Sequence, residues 1–81
     1  MKITIRLFAG AAQQAGVRTL AVELSDRADV AAARDALLVQ LPQLRALCDV
    51  SLWATETEVL DEHTPLKPDS ELAMIPPVSG G

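Results

Sequence analysis

The sequence predicts an α+β domain in which a mixed sheet of about five strands carries one long helix on a single face. Three observations support this fold class. Short segments near both ends of the chain alternate apolar and polar residues at the period of a strand. One segment between them repeats apolar residues at the period of a helix. The chain has 81 residues, a length that forms one domain around one core.

Composition narrows the class of protein. Hydrophobic residues make up 49% of the chain and aromatic residues only 2%, so we expect an aliphatic core and no large aromatic ligand pocket. The net charge is −4 and the seven Lys and Arg residues are dispersed, which argues against nucleic acid or a membrane and favours basic protein partners. One cysteine allows no internal disulfide, and neither a signal pattern nor a long apolar run is present. We therefore expect a cytoplasmic protein.

Residues 1–8 predict a half-buried strand, because Ile3, Ile5 and Leu7 alternate with polar residues. Phe8 departs from this pattern, since its parity places it on the solvent face. Either it covers a partner, or the strand has ended and Phe8 turns in under the next loop. The sequence leaves both interpretations open.

A short helix and a second strand follow. Residues 9–15 are rich in Ala and Gln and predict one or two helical turns, which end at Gly16. Residues 18–24 predict the second strand, with Leu20, Val22 and Leu24 on one face.

The long helix is predicted to begin after Asp29, a good N-cap residue, and to end before Pro42. Its apolar positions are Val30, Ala33, Leu37, Leu38 and Leu41. Residues 42–48 predict an irregular or 3₁₀ segment. Within it, Cys48 is interpreted as a small buried apolar residue and not as a reactive thiol.

Three further strands are predicted at residues 50–55, 57–60 and 71–75. In the first of these, Val50, Leu52 and Ala54 share one side. In the last, Leu72 and Met74 point inward, which leaves Ile75 as a second bulky apolar side chain on the solvent face.

His63 lies in the polar turn of residues 61–65. It has no second His, Cys or paired carboxylate at a ligand spacing, so we interpret it as a surface residue and expect no metal site.

This order of elements fits the β-grasp fold, in which the first and last strands run parallel at the centre of the sheet. Phe8 and Ile75 then lie at the same end of neighbouring strands. We predict that they form a partner-binding patch, with Val59 as a third member.

A tail, residues 76–81, is predicted to follow the domain of residues 1–75. The tail consists of Pro76, Pro77, Val78, Ser79, Gly80 and Gly81. Its two prolines remove two backbone donors and stop the sheet. The two glycines have no side chain and predict a narrow thread that ends in a free carboxylate. A frayed terminus is one interpretation, but the stiff base favours a tail that enters the active site of a partner.

Three motifs carry a resemblance to a known family. They are Ile5-Arg6-Leu7-Phe8-Ala9, the Pro65-Leu66 turn followed by Asp69-Ser70-Glu71-Leu72, and Ile75-Pro76-Pro77-Val78-Ser79-Gly80-Gly81. On these motifs the chain resembles MoaD, the family of small subunits of molybdopterin synthase, over its whole length. Two features depart from the family pattern. Many relatives have Ala-Val-Asn where this chain has Ala54-Thr55-Glu56, and aromatic residues where it has Met74 and Ile75.

The resemblance implies a ubiquitin-like β-grasp fold and a sulfur carrier that is not an enzyme by itself. An E1-like adenylyltransferase would use ATP to adenylate the carboxylate of Gly81, and a sulfur donor would convert it to a thiocarboxylate. The thiocarboxylate would deliver sulfur to cyclic pyranopterin monophosphate, with catalytic groups on the large subunit of molybdopterin synthase. No permanently bound cofactor is implied. Because a dithiolene needs two sulfurs and each tail carries one, we expect a heterotetramer with a dimeric large subunit.

Two other functions remain open. A sulfur carrier for thiamine or for tRNA thiolation would have the same fold and a different acceptor. A ubiquitin-like modifier joined to lysines, or a plain interaction domain, would belong to a different functional class.

Overall fold

The computed structural model describes residues 1–77, and it confirms the predicted fold class. The strands are β1 (Lys2–Leu7), β2 (Thr19–Glu23), β3 (Leu52–Ala54), β4 (Val59–Leu60) and β5 (Glu71–Ile75). The helices are α1 (Ala9–Ala15), α2 (Val30–Gln40) and α3 (Arg45–Val50), with a 3₁₀ turn at Pro42–Leu44.

The five strands form one sheet in the order β2-β1-β5-β3-β4. β1 and β5 are parallel, whereas the other neighbouring pairs are antiparallel. The predicted central pair of first and last strands is therefore confirmed. In this pair Leu7 lies beside Met74, so both strands end at the same side of the domain.

One face of the sheet is covered and forms the core with α2. The inward side chains of β1 and β5 are buried as their parity predicts, and they pack with the apolar side of the helix. The core residues of these three elements are Ile3, Ile5, Leu7, Leu72, Met74, Val30, Ala33, Leu37 and Leu38. α2 packs on this face, whereas the other face carries exposed side chains, among them Phe8, Leu52 and Ile75.

The predicted ends of the helices are confirmed in detail. Asp29 caps α2, because its carboxylate accepts a hydrogen bond of 2.9 Å from the backbone N–H of Ala32. Gly16 ends α1 in the left-handed conformation, with φ of 75°, and its N–H donates to the carbonyl of Ala12.

The segment after α2 differs from the expectation of a single long helix. The 3₁₀ turn at Pro42–Leu44 was expected, but the chain then continues as α3. Leu44 and Cys48 lie four residues apart and are both buried, so a helical turn anchors them side by side in the core. Val50 ends α3 and is exposed, and the third strand begins only at Leu52.

β4 is shorter than the predicted strand at residues 57–60. Thr55 turns the chain before it, because its hydroxyl accepts hydrogen bonds of 3.3 Å from the backbone N–H groups of Thr57 and Glu58. Those two residues therefore belong to the turn, and pairing with β3 starts at Val59.

Candidate docking site

Phe8 lies on the open face of the sheet. Its backbone is still extended, with φ of −121° and ψ of 156°, and 42% of the residue is exposed. The chain turns only at the next residue, Ala9, which has a φ of 50°. Of the two sequence interpretations, the structure supports the outward one: the strand geometry continues through Phe8 and holds its ring away from the core.

Two more apolar side chains lie in the same row of the open face. Ile75 and Leu52 are direct partners in the antiparallel pair of β5 and β3, and they are 39% and 56% exposed. Ile75 and Phe8 each follow the paired residues Met74 and Leu7. We call Phe8, Leu52 and Ile75 the docking patch.

Leu52 is a member of the docking patch that sequence reasoning missed. The neighbouring Trp53 could have indicated it, because Trp53 belongs to the core and pairs with Leu60 and Met74. Because side chains alternate along a strand, an inward Trp53 requires an outward Leu52. Sequence parity grouped Leu52 with Ala54 correctly but did not tell which side of β3 was covered.

Val59 shares the open face but lies outside the row of the docking patch. It pairs with Ala54, which in turn pairs with Ala73 on β5. Val59 is exposed and lies on the edge strand β4. The structure thus brings Phe8 and Ile75 together and leaves Val59 at the margin.

Small residues make a depression beside the docking patch. Ala54 and Ala73 line a cleft of about 200 Å³ that is bounded by Phe8 and Ile75. The carboxylate-bearing residues Glu56 and Glu71 also line it. Glu56 belongs to the turn that departs from the family pattern, so this departure changes the charge of the surface next to the docking patch.

A cationic side chain lies over the ring of Phe8. The guanidinium carbon of Arg6 lies 5.9 Å from the ring centroid, within the range of a cation–π interaction. Arg6 is paired with Ala73 across the central strands, and this positive charge therefore also lines the cleft of Ala54 and Ala73.

Cys48 lies on the opposite side of the sheet, in the core, as the sequence predicted. Its sulfur is 3.9 Å from the sulfur of Met74. Burial raises the pKa of the Cys48 thiol, although the nearby Arg34 guanidinium lowers it and Asp49 raises it further. A buried thiol with a raised pKa is protonated at neutral pH and is a poor nucleophile.

His63 is exposed, and its Nε2 lies 3.5 Å from a carboxylate oxygen of Glu62. Within residues 1–77, no group of three or more His, Cys, Asp or Glu side chains is arranged to hold a metal ion. No helix in the same range is long and apolar enough to cross a membrane.

The residues of the predicted tail lie only partly in the described structure. Pro76 is buried and Pro77 is exposed. Val78, Ser79, Gly80 and Gly81 lie outside the described residues, so their predicted roles stay predictions. Because Ile75 immediately precedes Pro76, the docking patch adjoins the start of this segment.

The sequence matches one protein-family model over most of its length. The ThiS family model matches residues 5–81. The chain belongs to the ThiS family. The predicted membership in the ubiquitin-like β-grasp carriers is thereby confirmed, and this ThiS-family chain is a sulfur carrier or a ubiquitin-like protein of that fold. No curated protein sequence matches it significantly.

Solved structures include close neighbours of this ThiS-family chain. SAMP1 from Haloferax volcanii is 31% identical over 100% of both chains, with a TM-score of 0.92. A complex of subunits 1 and 2 of molybdopterin-converting factor from Helicobacter pylori contains a chain that is 24% identical, with full coverage of both chains and a TM-score of 0.71. A ubiquitin from Caldiarchaeum subterraneum is 21% identical over 100% of this chain and 98% of that chain, with a TM-score of 0.66. The last two likenesses concern the fold alone.

Proposed function

We propose that this chain is the sulfur carrier subunit of molybdopterin synthase. The observation that carries the proposal is the docking patch of Phe8, Leu52 and Ile75, three exposed apolar side chains on the open face next to Pro76 and Pro77. A sulfur carrier needs such a surface, because a partner must hold the domain while residues 78–81 enter its active site.

The chemistry assigned to Gly81 begins with activation of its carboxylate. A carboxylate is a poor acceptor of nucleophiles, so one of its oxygens attacks the α-phosphate of ATP and pyrophosphate leaves. The product is a mixed anhydride with AMP. Sulfur at the oxidation level of sulfide then attacks the carbonyl carbon, AMP leaves with the electron pair of the broken C–O bond, and loss of the proton on sulfur gives the thiocarboxylate. An E1-like adenylyltransferase supplies the first step and a sulfurtransferase the second.

The thiocarboxylate is anionic at neutral pH and more polarisable than a carboxylate, so it is the better nucleophile toward the carbons of cyclic pyranopterin monophosphate. The acids, bases and phosphate-binding residues of this step belong to the large subunit. The pairing of subunits 1 and 2 in the Helicobacter pylori complex supports a large-subunit partner for this chain. Two sulfurs are needed for each dithiolene, and this favours a heterotetramer.

A second function, covalent modification of proteins, is favoured by one observation. The 31% identity with SAMP1 covers 100% of both chains, and the same protein type is described as a small archaeal modifier protein. The acyl-adenylate of Gly81 serves this function equally well, because a lysine amine can replace AMP in the same way as sulfur does.

Reconstitution separates the two functions. The chain is incubated with ATP, the E1-like adenylyltransferase, a sulfide source and the large subunit encoded in the same genome, and molybdopterin formation is measured. Intact mass reports whether sulfur has replaced one oxygen at Gly81. We expect thiocarboxylate and product. Isopeptide-linked conjugates without molybdopterin would instead establish the modifier function.

Variants at the terminus test the role of Gly81. Removing Gly81, or adding one residue after it, moves the carboxylate by up to about 3.5 Å along an extended chain, which is too far for in-line attack on a phosphate. Both variants should lose ATP–pyrophosphate exchange and keep the thermal stability of the wild type. Gly80→Ala retains the reach and should only slow activation. Exchange at the wild-type rate by the shortened and lengthened chains would refute the sulfur-carrier function.

A further inference from the structure

Two clefts, one on the open face and one at the end of β1 beside α1, are separated by one ridge. Arg6 and Phe8 form the ridge, with the guanidinium over the ring, and both residues line both clefts. On one side lies the alanine cleft, which is floored by Ala54 and Ala73. On the other side lies a cleft of about 380 Å³ whose lining includes Arg6 and Arg18. We call it the arginine cleft.

The arginine cleft has cations and no carboxylates. Its other lining residues are Leu7, Phe8, Ala9, Ala12 and Thr19, none of which carries a charge. Within residues 1–77, neither Arg6 nor Arg18 takes part in an ion pair, whereas Arg34 pairs with Glu62 at 3.2 Å. The whole chain has a net charge of −4. The arginine cleft is therefore a local reversal of the overall charge, and a guanidinium without a partner favours an oxyanion.

The alanine cleft shares Arg6 with the arginine cleft but also has two carboxylates. Glu56 and Glu71 line it together with the small floor residues. Charge is therefore distributed unevenly about the Arg6–Phe8 ridge, because Arg18 adds a second cation on one side and Glu56 and Glu71 lie on the other. A surface that covers both clefts must present the complementary order of charges.

We propose that this end of the domain, where both clefts meet at the Arg6–Phe8 ridge, binds a protein partner through two neighbouring side chains of that partner. A Leu- or Phe-sized side chain enters the alanine cleft, and an Asp or Glu carboxylate binds Arg6 and Arg18 in the arginine cleft. A protein carboxylate fits better than a free phosphate or nucleotide, because Phe8 belongs to both clefts and to the docking patch, so one surface covers all three. The inference rests on the proposed function, since the partner is the adenylyltransferase or the large subunit.

Charge variants at Arg18 test the arginine cleft. Binding of the full chain to the adenylyltransferase and to the large subunit is measured at low and at physiological ionic strength. Arg18→Glu should weaken binding of the partner by about tenfold and reduce its salt dependence, while Arg18→Lys keeps most of the affinity. Arg27→Glu is the matched control, since Arg27 is exposed in the turn after β2, at the other end of that strand, and should bind within about twofold of wild type.

A second variant tests the alanine cleft without changing charge. Ala73→Leu fills the cleft from an outward position of β5 and should also weaken binding about tenfold. Ala21→Leu makes the same change at an exposed outward position of β2 and should leave binding unchanged. Thermal melts establish that both variants are folded.

The outcomes separate the two proposals. If the wild type binds neither enzyme, both the proposed function and this inference are wrong. If the wild type binds and Arg18→Glu and Ala73→Leu bind equally well, only the inference is wrong. Millimolar inorganic phosphate or AMP is then added to the complex. If either one displaces the partner, and its NMR shifts in the free chain are confined to Phe8, Arg18 and Thr19, the inference is also wrong and the arginine cleft is a site for small anions.

Discussion

The two faces of this sheet are built by different rules. On the covered face, the inward side chains of the strands are aliphatic or aromatic and belong to the core or pack against it, and those of β1 and β5 are almost completely buried. On the open face, alternation should give polar residues, yet one row holds Phe8, Leu52 and Ile75. Stability requires the first arrangement and gains little from the second. The difference teaches that exposed apolar residues on the open face are not explained by the stability of the core, which is why the proposed function assigns them to binding.

The five residues of β5 include side chains on both the covered and the open face. Leu72 is fully buried between its neighbours on the covered face, and Ile75 lies in the docking patch. Both side chains have four carbons beyond the backbone, so their truncation isolates the effect of the face.

The largest expected effect on stability comes from Leu72→Ala. Removing a fully buried leucine side chain should lower the free energy of unfolding by about 3 kcal/mol, because it loses transfer energy and leaves a cavity. Ile75→Ala, on the same strand, should cost less than about 1 kcal/mol since that side chain is already partly in solvent. Urea denaturation of both variants checks this. Equal losses would mean that the open face contributes to the core.

The next largest effect is on binding. The double variant Phe8→Ser/Ile75→Ser should lose about 2 to 4 kcal/mol of affinity for the large subunit, because two apolar side chains no longer leave water at the interface. Its unfolding midpoint should change little. Calorimetric titration against the large subunit measures the loss.

Val39→Ser is the control for this pair. Val39 is 83% exposed on α2, on the other side of the sheet, and is more exposed than any member of the docking patch. It should bind like wild type. If Val39→Ser weakens binding and the double variant does not, the partner covers the helical side and the docking patch is wrongly assigned.

Gly16→Ala should have a smaller effect that belongs to neither face. Gly16 has a φ of 75°, and nothing lies within 4 Å of the position that a Cβ would take. The cost is therefore that of the left-handed backbone alone, about 1 kcal/mol. Thermal unfolding should show this loss while binding of the large subunit is unchanged. A loss above about 3 kcal/mol would indicate a steric clash that the structure does not contain.

The smallest effect is the pH dependence due to Cys48. Burial raises the pKa of this thiol in the folded state, so the unfolded chain loses the proton first as the pH rises. The unfolded state is then favoured, and the free energy of unfolding declines as the pH passes the usual thiol value of 9.0. Cys48→Ala should lack this part of the decline. Parallel alkaline slopes for the two proteins would show that the thiol is accessible to water.

Much of the fold could be predicted because several of its features are determined by residues that are close together in the sequence. Alternation in β1 and β5, the Asp29 cap and Gly16 each depend on neighbours in the sequence, and each was predicted. α3 could not be predicted in the same way. Leu44 and Cys48 indicate a helical turn only once it is known that both side chains are buried in the core.

The candidate site could be predicted only in part. Phe8 and Ile75 stood out because each interrupts an alternating strand. Leu52 does not interrupt its strand, since the inward side of β3 is fixed by packing of Trp53 against β5 and β4. The arginine cleft could not be predicted from the sequence either, because Arg6 in β1 and Arg18, just before β2, are brought together only when these two strands pair.

The parallel pairing of β1 and β5 has a mechanical consequence. β5 is hydrogen-bonded on both sides, to β1 and to β3, and the chain leaves it at Pro76. A force applied at Pro77 along the chain loads these two ladders in shear, so their bonds carry the load together and cannot open one after another as in a peeled hairpin. A pull at Pro77 is therefore resisted by both ladders at once, so the domain should stay folded while the force acts on it.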